Sequence, residues 1–473
     1  MSTETFGRAA LVALVVGLAL HNAAMAQLWE NGMRGTVLDV AAAWKEALLL
    51  VALVVVAWKV RGRPALVVAD VLAVSYTVVI LAYGVLPQDW LGGEATTRGE
   101  LLALRHHLLP VAAYALGRML AGWWKDRSLL GGVVALTAAG VAAVGLLDLA
   151  LISLQSWRES GVGSWYREQL GLDYEGLSGL PENWVYNTGD EGNPQRRLVS
   201  TFLSPLASAY ALVVALVYVA ARPFRWWWGL LGFVLYAGLL YTHTRAAFAA
   251  LAVGLVVLAL VQRRLRLVVL ALASLTAAAA FLAAYPTLGP STSYTPEELG
   301  FLRENAEREP GDSSDPFSPG ESSTRSHLRN LRDGIETVLE HPRGYGLGNA
   351  GVVAKRTDVE IKAGESTYTE LGVDAGVVGM AAFVLWSLAL LLLLLRREPW
   401  LGAAFSAILL LGLQTDVIGV HWLAVVVWVL AGIAISPRPL PTVTVPVEQE
   451  VEEEAVPVDD EEEADSEHAR PPG

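Results

Sequence analysis

The chain has 473 residues, 54% hydrophobic and only 17% charged, with a mean hydropathy of +0.44, a balance that excludes a water-soluble enzyme and a disordered chain, since soluble domains carry about 25% charged residues. The net charge of −13 is concentrated: Pro441–Gly473 holds 12 acids and one Arg, which leaves the first 440 residues near −2. No cysteine is present, so there is no disulfide framework, no thiolate nucleophile and no Cys-based zinc site.

A membrane-spanning helix needs about 20 mostly apolar residues. Twelve such runs are legible, near 9–28, 38–58, 65–86, 101–122, 130–154, 199–220, 226–244, 246–262, 267–285, 367–395, 400–416 and 419–435. Lipid tolerates no unpaired backbone, and the runs are too long for barrel strands, so the spans should be helical. The expected fold is an all-α polytopic integral membrane protein with about 12 transmembrane helices and two large outward-facing loops. Residues 1–285 carry helices one to nine, with an outer loop over about 155–197 rich in Trp, Tyr, Gly and charge. A large extracytoplasmic loop with short amphipathic helices follows over 286–366, then helices ten to twelve over 367–436. The acidic tail, 437–473, lacks helical periodicity and reads as disordered in the cytoplasm, where it suits a docking partner. Ala24-Met25-Ala26 looks like a signal-peptidase site. The apolar run before it is long for a signal peptide, and only Arg8 precedes it, so a retained first span is the favoured reading.

Basic residues test this layout. With a cytoplasmic N-terminus, every inner turn is basic: Lys59, Arg61 and Arg63; Arg118, Lys125 and Arg127; Arg222 and Arg225; Arg263, Arg264 and Arg266; Arg396 and Arg397. The short outer loops carry little more than Arg34 and Arg98. That asymmetry follows the positive-inside rule and places both termini in the cytoplasm of a multi-pass inner-membrane protein. Two long loops on one side point to a worksite facing outward.

Charged residues inside spans are paired or functional. Lys45, Glu46, Asp70, Arg105, Asp148, Asp374 and Asp416 read mainly as polar contacts between helices. Arg245, in Tyr241-Thr242-His243-Thr244-Arg245-Ala246-Ala247, sits at an outer junction where a guanidinium suits bidentate capture of a phosphate oxygen. In the second loop, Ser326–Glu340 reads as an amphipathic helix, with Leu328, Leu331, Ile335, Val338 and Leu339 on one face. Arg325, Arg329 and Arg332 occupy the neighbouring face, with His327 beside them, and Ser322, Ser323 or Thr324 can cap it. The Gly344–Gly351 stretch follows no strand and does not match a P-loop, so it reads as a tight loop packed against a helix. Glu365, just before span ten, is a candidate helix cap or general base. His106 and His107 are adjacent, about 100° apart on a helix, and no His/Asp/Glu set has metal-ligand spacing. No Gly-x-Ser-x-Gly elbow is present.

Over roughly 196–395 these residues together resemble the O-antigen ligase and polymerase superfamily, membrane glycosyltransferases of the GT-C class. Arg197-Leu198-Val199-Ser200-Thr201-Phe202-Leu203-Ser204-Pro205 looks like the family's entry to a mid-chain span. Thr244-Arg245-Ala246-Ala247 resembles its Ser-Arg-Gly/Ala signature. Glu321–Leu328 with His341-Pro342-Arg343-Gly344-Tyr345-Gly346-Leu347-Gly348 looks like the large-loop helix and its glycine-rich exit. Glu365-Ser366-Thr367-Tyr368 and Gly376-Val377-Val378-Gly379 resemble the motif opening the next span. The resemblance implies a donor glycan on a polyprenyl diphosphate, a glycan or lipid-glycan acceptor, and metal-independent transfer or polymerisation at the outer face during cell-surface polysaccharide assembly. No cofactor and no nucleic acid are implied. It assigns diphosphate binding to Arg245, with a further arginine role split among Arg325, Arg329 and the His327 position, and it makes Glu365 and His327 the candidate catalytic pair. Ligases typically carry His-Asn where Glu365-Ser366 stand here, a departure that leans toward a polymerase or another acceptor. The alternatives are a secondary transporter or flippase for a lipid-linked glycan, whose charges belong near the midplane between related halves, and a non-catalytic envelope scaffold.

Overall fold

A computed structural model describes residues 3–59, 65–121, 127–172, 179–186, 193–308, 318 and 322–436. A helix falls on each of the twelve apolar runs, but they are not equivalent. Five are long and apolar enough to cross a membrane unaided: Glu4–Glu30, Leu129–Leu151, Arg245–Gln262, Leu265–Leu288 and Thr367–Arg397. Gly35–Ala42 and Trp44–Trp58 qualify together as one broken span, bent by 41°. Val68–Tyr83, Pro205–Ala221, Trp226–Tyr241, Pro399–Leu411 and Leu423–Ala434 are apolar but shorter. Thr97–Leu120 is a 24-residue helix carrying Arg105, His106, His107 and Arg118. The protein is therefore a polytopic all-α membrane protein.

Where helices start late, the backbone gives the reason. The run expected from 199 opens instead with a 3-10 turn over Ser200–Phe202 and Leu203 in the left-handed region, φ +51°. The helix begins only at Pro205, whose fixed φ suits a first helical position, and the Ser204 hydroxyl accepts from the Ala207 N–H as N-cap. That helix is buried along nearly its whole length and forms the centre of the core with the segment 422–435. Small residues let neighbours close in. Gly117 and Gly432 each face backbone of the opposing helix, so that a Cβ at either would collide with Val429 or Tyr114 carbonyl oxygen.

The first helix is integral to this core. Leu11, Leu14 and Val15 are fully buried. Trp422 donates to the Val15 carbonyl at 3.0 Å, and Asn22 donates to the Phe202 carbonyl at 2.8 Å. Met25, Ala26 and Trp29 continue into a second apolar cluster with Leu154, Trp165, Tyr166, Trp184 and Leu203, which roofs this end of the bundle. The loop from 154 supplies that roof as short turns and a two-residue antiparallel ladder, Val185–Tyr186 against Gln195–Arg196.

The four aspartates expected to make polar contacts do so. Asp70 accepts from Arg118 at 2.8 Å and from Tyr114 at 2.5 Å. Asp148 accepts from Arg196 at 2.6 Å and from Trp157 at 2.8 Å. His106 faces Asp416 at 3.3 Å, and His107 faces Asp374 at 2.9 Å. The two imidazoles thus serve different carboxylates and cross at 83°, as adjacent positions on a helix require. The acidic tail beyond Ser436 and most of the Gly311–Ser323 stretch lie outside the described residues.

Candidate active site

The site is built around the helix Ser322–Glu340 and the helix Thr367–Arg397, which pack together. The loop helix starts four residues before the expected Ser326, so Ser322–Thr324 belong to it instead of capping it. It ends at Glu340, before Pro342. Its apolar residues split between two faces. Val338 is buried against the long helix, and Gly334 approaches Thr369 so closely that a Cβ would lie 2.9 Å from the Thr369 Cβ. Leu328, Ile335 and Leu339 are exposed as a separate stripe, flanked by Arg325, Arg329 and Arg332. Arg332 donates to Glu336 at 2.8 Å, one turn on. His327 lies on the packed side, about 100° from Leu328.

That orientation brings His327 to Glu365: Nδ1 and Oε2 are 2.6 Å apart. Burial alone would push the Glu365 carboxyl up. The His327 hydrogen bond and charge, with a hydrogen bond from Asn330, outweigh it and hold the carboxyl below its ordinary value. A carboxylate can only accept, so Nδ1 is the donor in this contact, and in the neutral ring Nε2 is then the acceptor nitrogen. Glu365 is not the helix cap. Ser366 takes that role, its Oγ accepting from the Tyr368 N–H, while Glu365 stands in the left-handed region at φ +66°.

The glycine-rich exit is a tight loop clasped by the long helix. Gly344, Gly346 and Gly348 have φ of +72°, +97° and +93°, values glycine adopts without a Cβ clash. The helix breaks to receive them: Ala375 is non-helical and Gly376 has φ +65°. Tyr345 N–H donates to the Val373 carbonyl at 2.6 Å, and Val377 N–H to the Pro342 carbonyl at 2.9 Å, so the loop satisfies groups that the break frees. Asp374 Oδ1 accepts from the Gly348 and Asn349 N–H groups, both at 3.1 Å. Asn349 donates to Gln88 and to the Gly346 carbonyl, fixing the loop from the other side. This wrapping commits the N–H groups of Gly344, Tyr345, Gly348, Asn349 and Gly351 to the protein.

Arg245 opens the helix Arg245–Gln262 after the turn Thr242–Thr244. Arg197 braces that turn from outside, with Nε donating to the Thr242 carbonyl at 2.8 Å and a terminal nitrogen to Thr244 Oγ1 at 3.1 Å. Burial, with the Arg245 charge acting in the same sense, pulls the Arg197 guanidinium down to about 10. His243, at φ +50°, stacks between Tyr186 at 4.0 Å and Tyr285 at 4.5 Å. Tyr210 links the two halves of the site. It lies within reach of the Arg197 charge and hydrogen-bonds Thr415, whose carbonyl accepts from Thr367 Oγ1 at 3.0 Å, two residues from Glu365.

Residues 230–384 match the family model for O-antigen ligase. The match spans 155 of the 473 residues and supports a place in the O-antigen ligase and polymerase superfamily. No curated protein matches the chain. The matched stretch contains Arg245, Arg325, His327, Arg329 and Glu365, so all five residues singled out from the sequence fall inside it. Of these, His327 and Glu365 are in direct contact. Arg325 and Arg329 sit on the exposed side of the same helix, and Arg245 opens a different one. Arg197 lies outside the O-antigen ligase domain. It was legible only as part of the Arg197–Pro205 motif, because nothing in its local spacing announces that it holds the turn before Arg245. The domain gives the carrier alternative no support.

Proposed function

We propose that the protein is a membrane glycosyltransferase that transfers or polymerises a polyprenyl-diphosphate-linked glycan at the outer face of the cytoplasmic membrane, without a metal ion. The observation that carries this reading is the 2.6 Å contact between His327 and Glu365 inside the O-antigen ligase domain. An acceptor hydroxyl must lose its proton as its oxygen bonds to the anomeric carbon, while the bond from that carbon to the diphosphate oxygen breaks. In this reading His327 Nε2 takes the proton. Glu365 holds the ring by Nδ1 and stabilises the imidazolium that forms. The leaving diphosphate gains charge, and a guanidinium at Arg245, with Arg325 and Arg329 on the loop helix, stabilises it. The orientation with loops outward rests on the basic turns at the opposite helix ends.

The test is purified full-length protein given a polyprenyl-diphosphate glycan and an acceptor, with neither metal nor nucleotide. Release of polyprenyl diphosphate together with a longer glycan supports transfer, provided both disappear in His327→Ala while the melting temperature holds. Glycan accumulation in sealed vesicles without a covalent product contradicts it.

A further inference from the structure

We propose that Lys45, Arg105 and Arg356 form a second anion site, taking the phosphate or diphosphate group of a lipid, apart from the Arg245 corner. Three helices meet there. Trp44–Lys59 brings Lys45 and Glu46, Thr97–Leu120 brings Arg98 and Arg105, and the short helix Gly351–Arg356 brings Arg356. The charges acting on Lys45 are Glu46, Arg105 and Arg356, and those acting on Arg356 are Arg105, Arg98 and Asp39. Those acting on His243 are Arg197 and Arg245. The two groups of cations are therefore distinct.

Among the charges acting on Lys45 and Arg356, cations outnumber acids. Lys45, Arg98, Arg105 and Arg356 stand against Glu46 and Asp39, an excess of two positive charges. Lys45 is only 3% exposed, bonded to the Ala42 carbonyl at 2.8 Å and to His21 at 3.2 Å. Glu46 is a loose counter-ion, 3.5 Å from Lys45 and 3.6 Å from Arg105, with no close hydrogen bond to either oxygen among the described residues. Arg105 Nε is likewise buried without a partner among the described residues. Arg356 spends Nε on the Leu170 carbonyl at 2.9 Å, and its terminal nitrogens have no acceptor among the described residues. Burial, with Arg105 and Arg98 in the same sense and Asp39 opposing, brings the Arg356 guanidinium down to about 10. An uncompensated cation cluster at this depth is costly, and an oxyanion relieves the cost. The break at Ala43 adds the positive end of the Trp44–Lys59 helix beside Lys45.

Access and depth indicate an amphiphile. The Arg105 side chain keeps 38% exposure, so the site opens outward through it. Val37, Val40 and Leu101, on the adjoining helices, are 65%, 70% and 61% exposed and offer apolar surface for a chain. Two guanidinium forks beside an ammonium match a phosphate or diphosphate head. This inference stands on charge and geometry and is tested by binding alone, so its failure is separable from failure of the transferase reading.

The experiment uses full-length protein in nanodiscs of phosphatidylcholine, titrated with farnesyl diphosphate. Two sites are expected. Arg245→Gln removes one, and Arg105→Gln with Arg356→Gln weakens the other about tenfold or more, the loss expected for charge-assisted bonds. A parallel arm adds phosphatidylglycerol to the nanodiscs. A rise in melting temperature that the double variant lacks identifies a lipid headgroup as the occupant, whereas farnesyl diphosphate binding unaffected by phosphatidylglycerol identifies a diphosphate. A single site lost in Arg245→Gln, or a double variant indistinguishable from wild type in both arms, overturns the proposal. Should the double variant not fold, Glu46→Gln decides: deletion of that carboxylate tightens binding several-fold if the site exists, and unchanged or weaker binding overturns it.

Discussion

Glu365 accepts from His327 at 2.6 Å from a backbone conformation, φ +66°, that a non-glycine residue rarely adopts. Left-handed backbone costs about 1–2 kcal/mol for a residue with a Cβ, so the position is held against its own preference. The Ser366 cap and the Glu370 N–H donating to the Ser366 carbonyl at 2.9 Å supply that hold. Glu365→Gln keeps an acceptor for Nδ1 but removes the charge, so we expect turnover to fall about 10–100-fold with little change in KM. His327→Ala removes the base itself and should cost about 100–10,000-fold. Both are read as polyprenyl diphosphate release. An unchanged rate in His327→Ala sinks the assignment of the base.

The same contact predicts a pH dependence of stability. The Glu365 carboxyl is held below its ordinary value of 4.5 in the folded protein, so its contribution is fully present above that value and is lost as pH falls through the lowered one. With its side chain 45% exposed, the contribution is salt-screened. Melting temperatures of wild type and Glu365→Gln should differ above pH 4.5 and converge as pH falls from 4.5 through the lowered value. A gap that persists into more acid solution contradicts the pairing.

Gly376 gives a sharper structural test. At φ +65° a side chain is strained, and a Cβ there would lie 2.7 Å from the Arg343 carbonyl oxygen, which is backbone and cannot swing away. Gly376→Ala should therefore cost about 1–2 kcal/mol in strain alone and push the glycine-rich loop off the long helix, lowering melting temperature and activity together. Gly140, with nothing within 4 Å of its Cβ position, is the control. Gly140→Ala should leave both unchanged.

These residues show how far the sequence could be read. Apolar periodicity locates helices because burial is what it encodes, and each of the twelve runs carries one. It is silent on where backbone leaves the helix, so Leu203, Ala43 and the break at Ala375–Gly376 were not foreseen. His327 and Glu365 were both legible as residue types in motifs. Their contact spans 38 positions and depends on which face of the loop helix packs, which Gly334 settles by being small. Helical spacing had put Val338 with the exposed leucines, since five apolar residues along one helix do not say that one of them faces a neighbour. Asp374 read correctly as a structural contact, but its partners, His107 and the amides of Gly348 and Asn349, come from two segments far away in the chain.

Arg197 and Arg245 should separate cleanly by mutation. Arg197 spends its guanidinium on the Thr242 carbonyl and Thr244 Oγ1, so Arg197→Ala orphans a turn and is expected to cost about 1–3 kcal/mol of stability. Its activity loss should follow from the displaced turn. Arg245 occupies the first position of its helix and is half-buried. Arg245→Ala should leave the melting temperature within about 0.5 kcal/mol of wild type, as for a substitution away from core features, yet reduce product release about 100–1,000-fold, the scale of one lost charge-stabilising donor. Arg245→Lys keeps the charge without the planar fork and should recover only part of that rate. Paired melting curves and release assays on the three variants decide the matter. If Arg245→Ala unfolds the protein as readily as Arg197→Ala does, the corner is structural and the diphosphate must be held elsewhere.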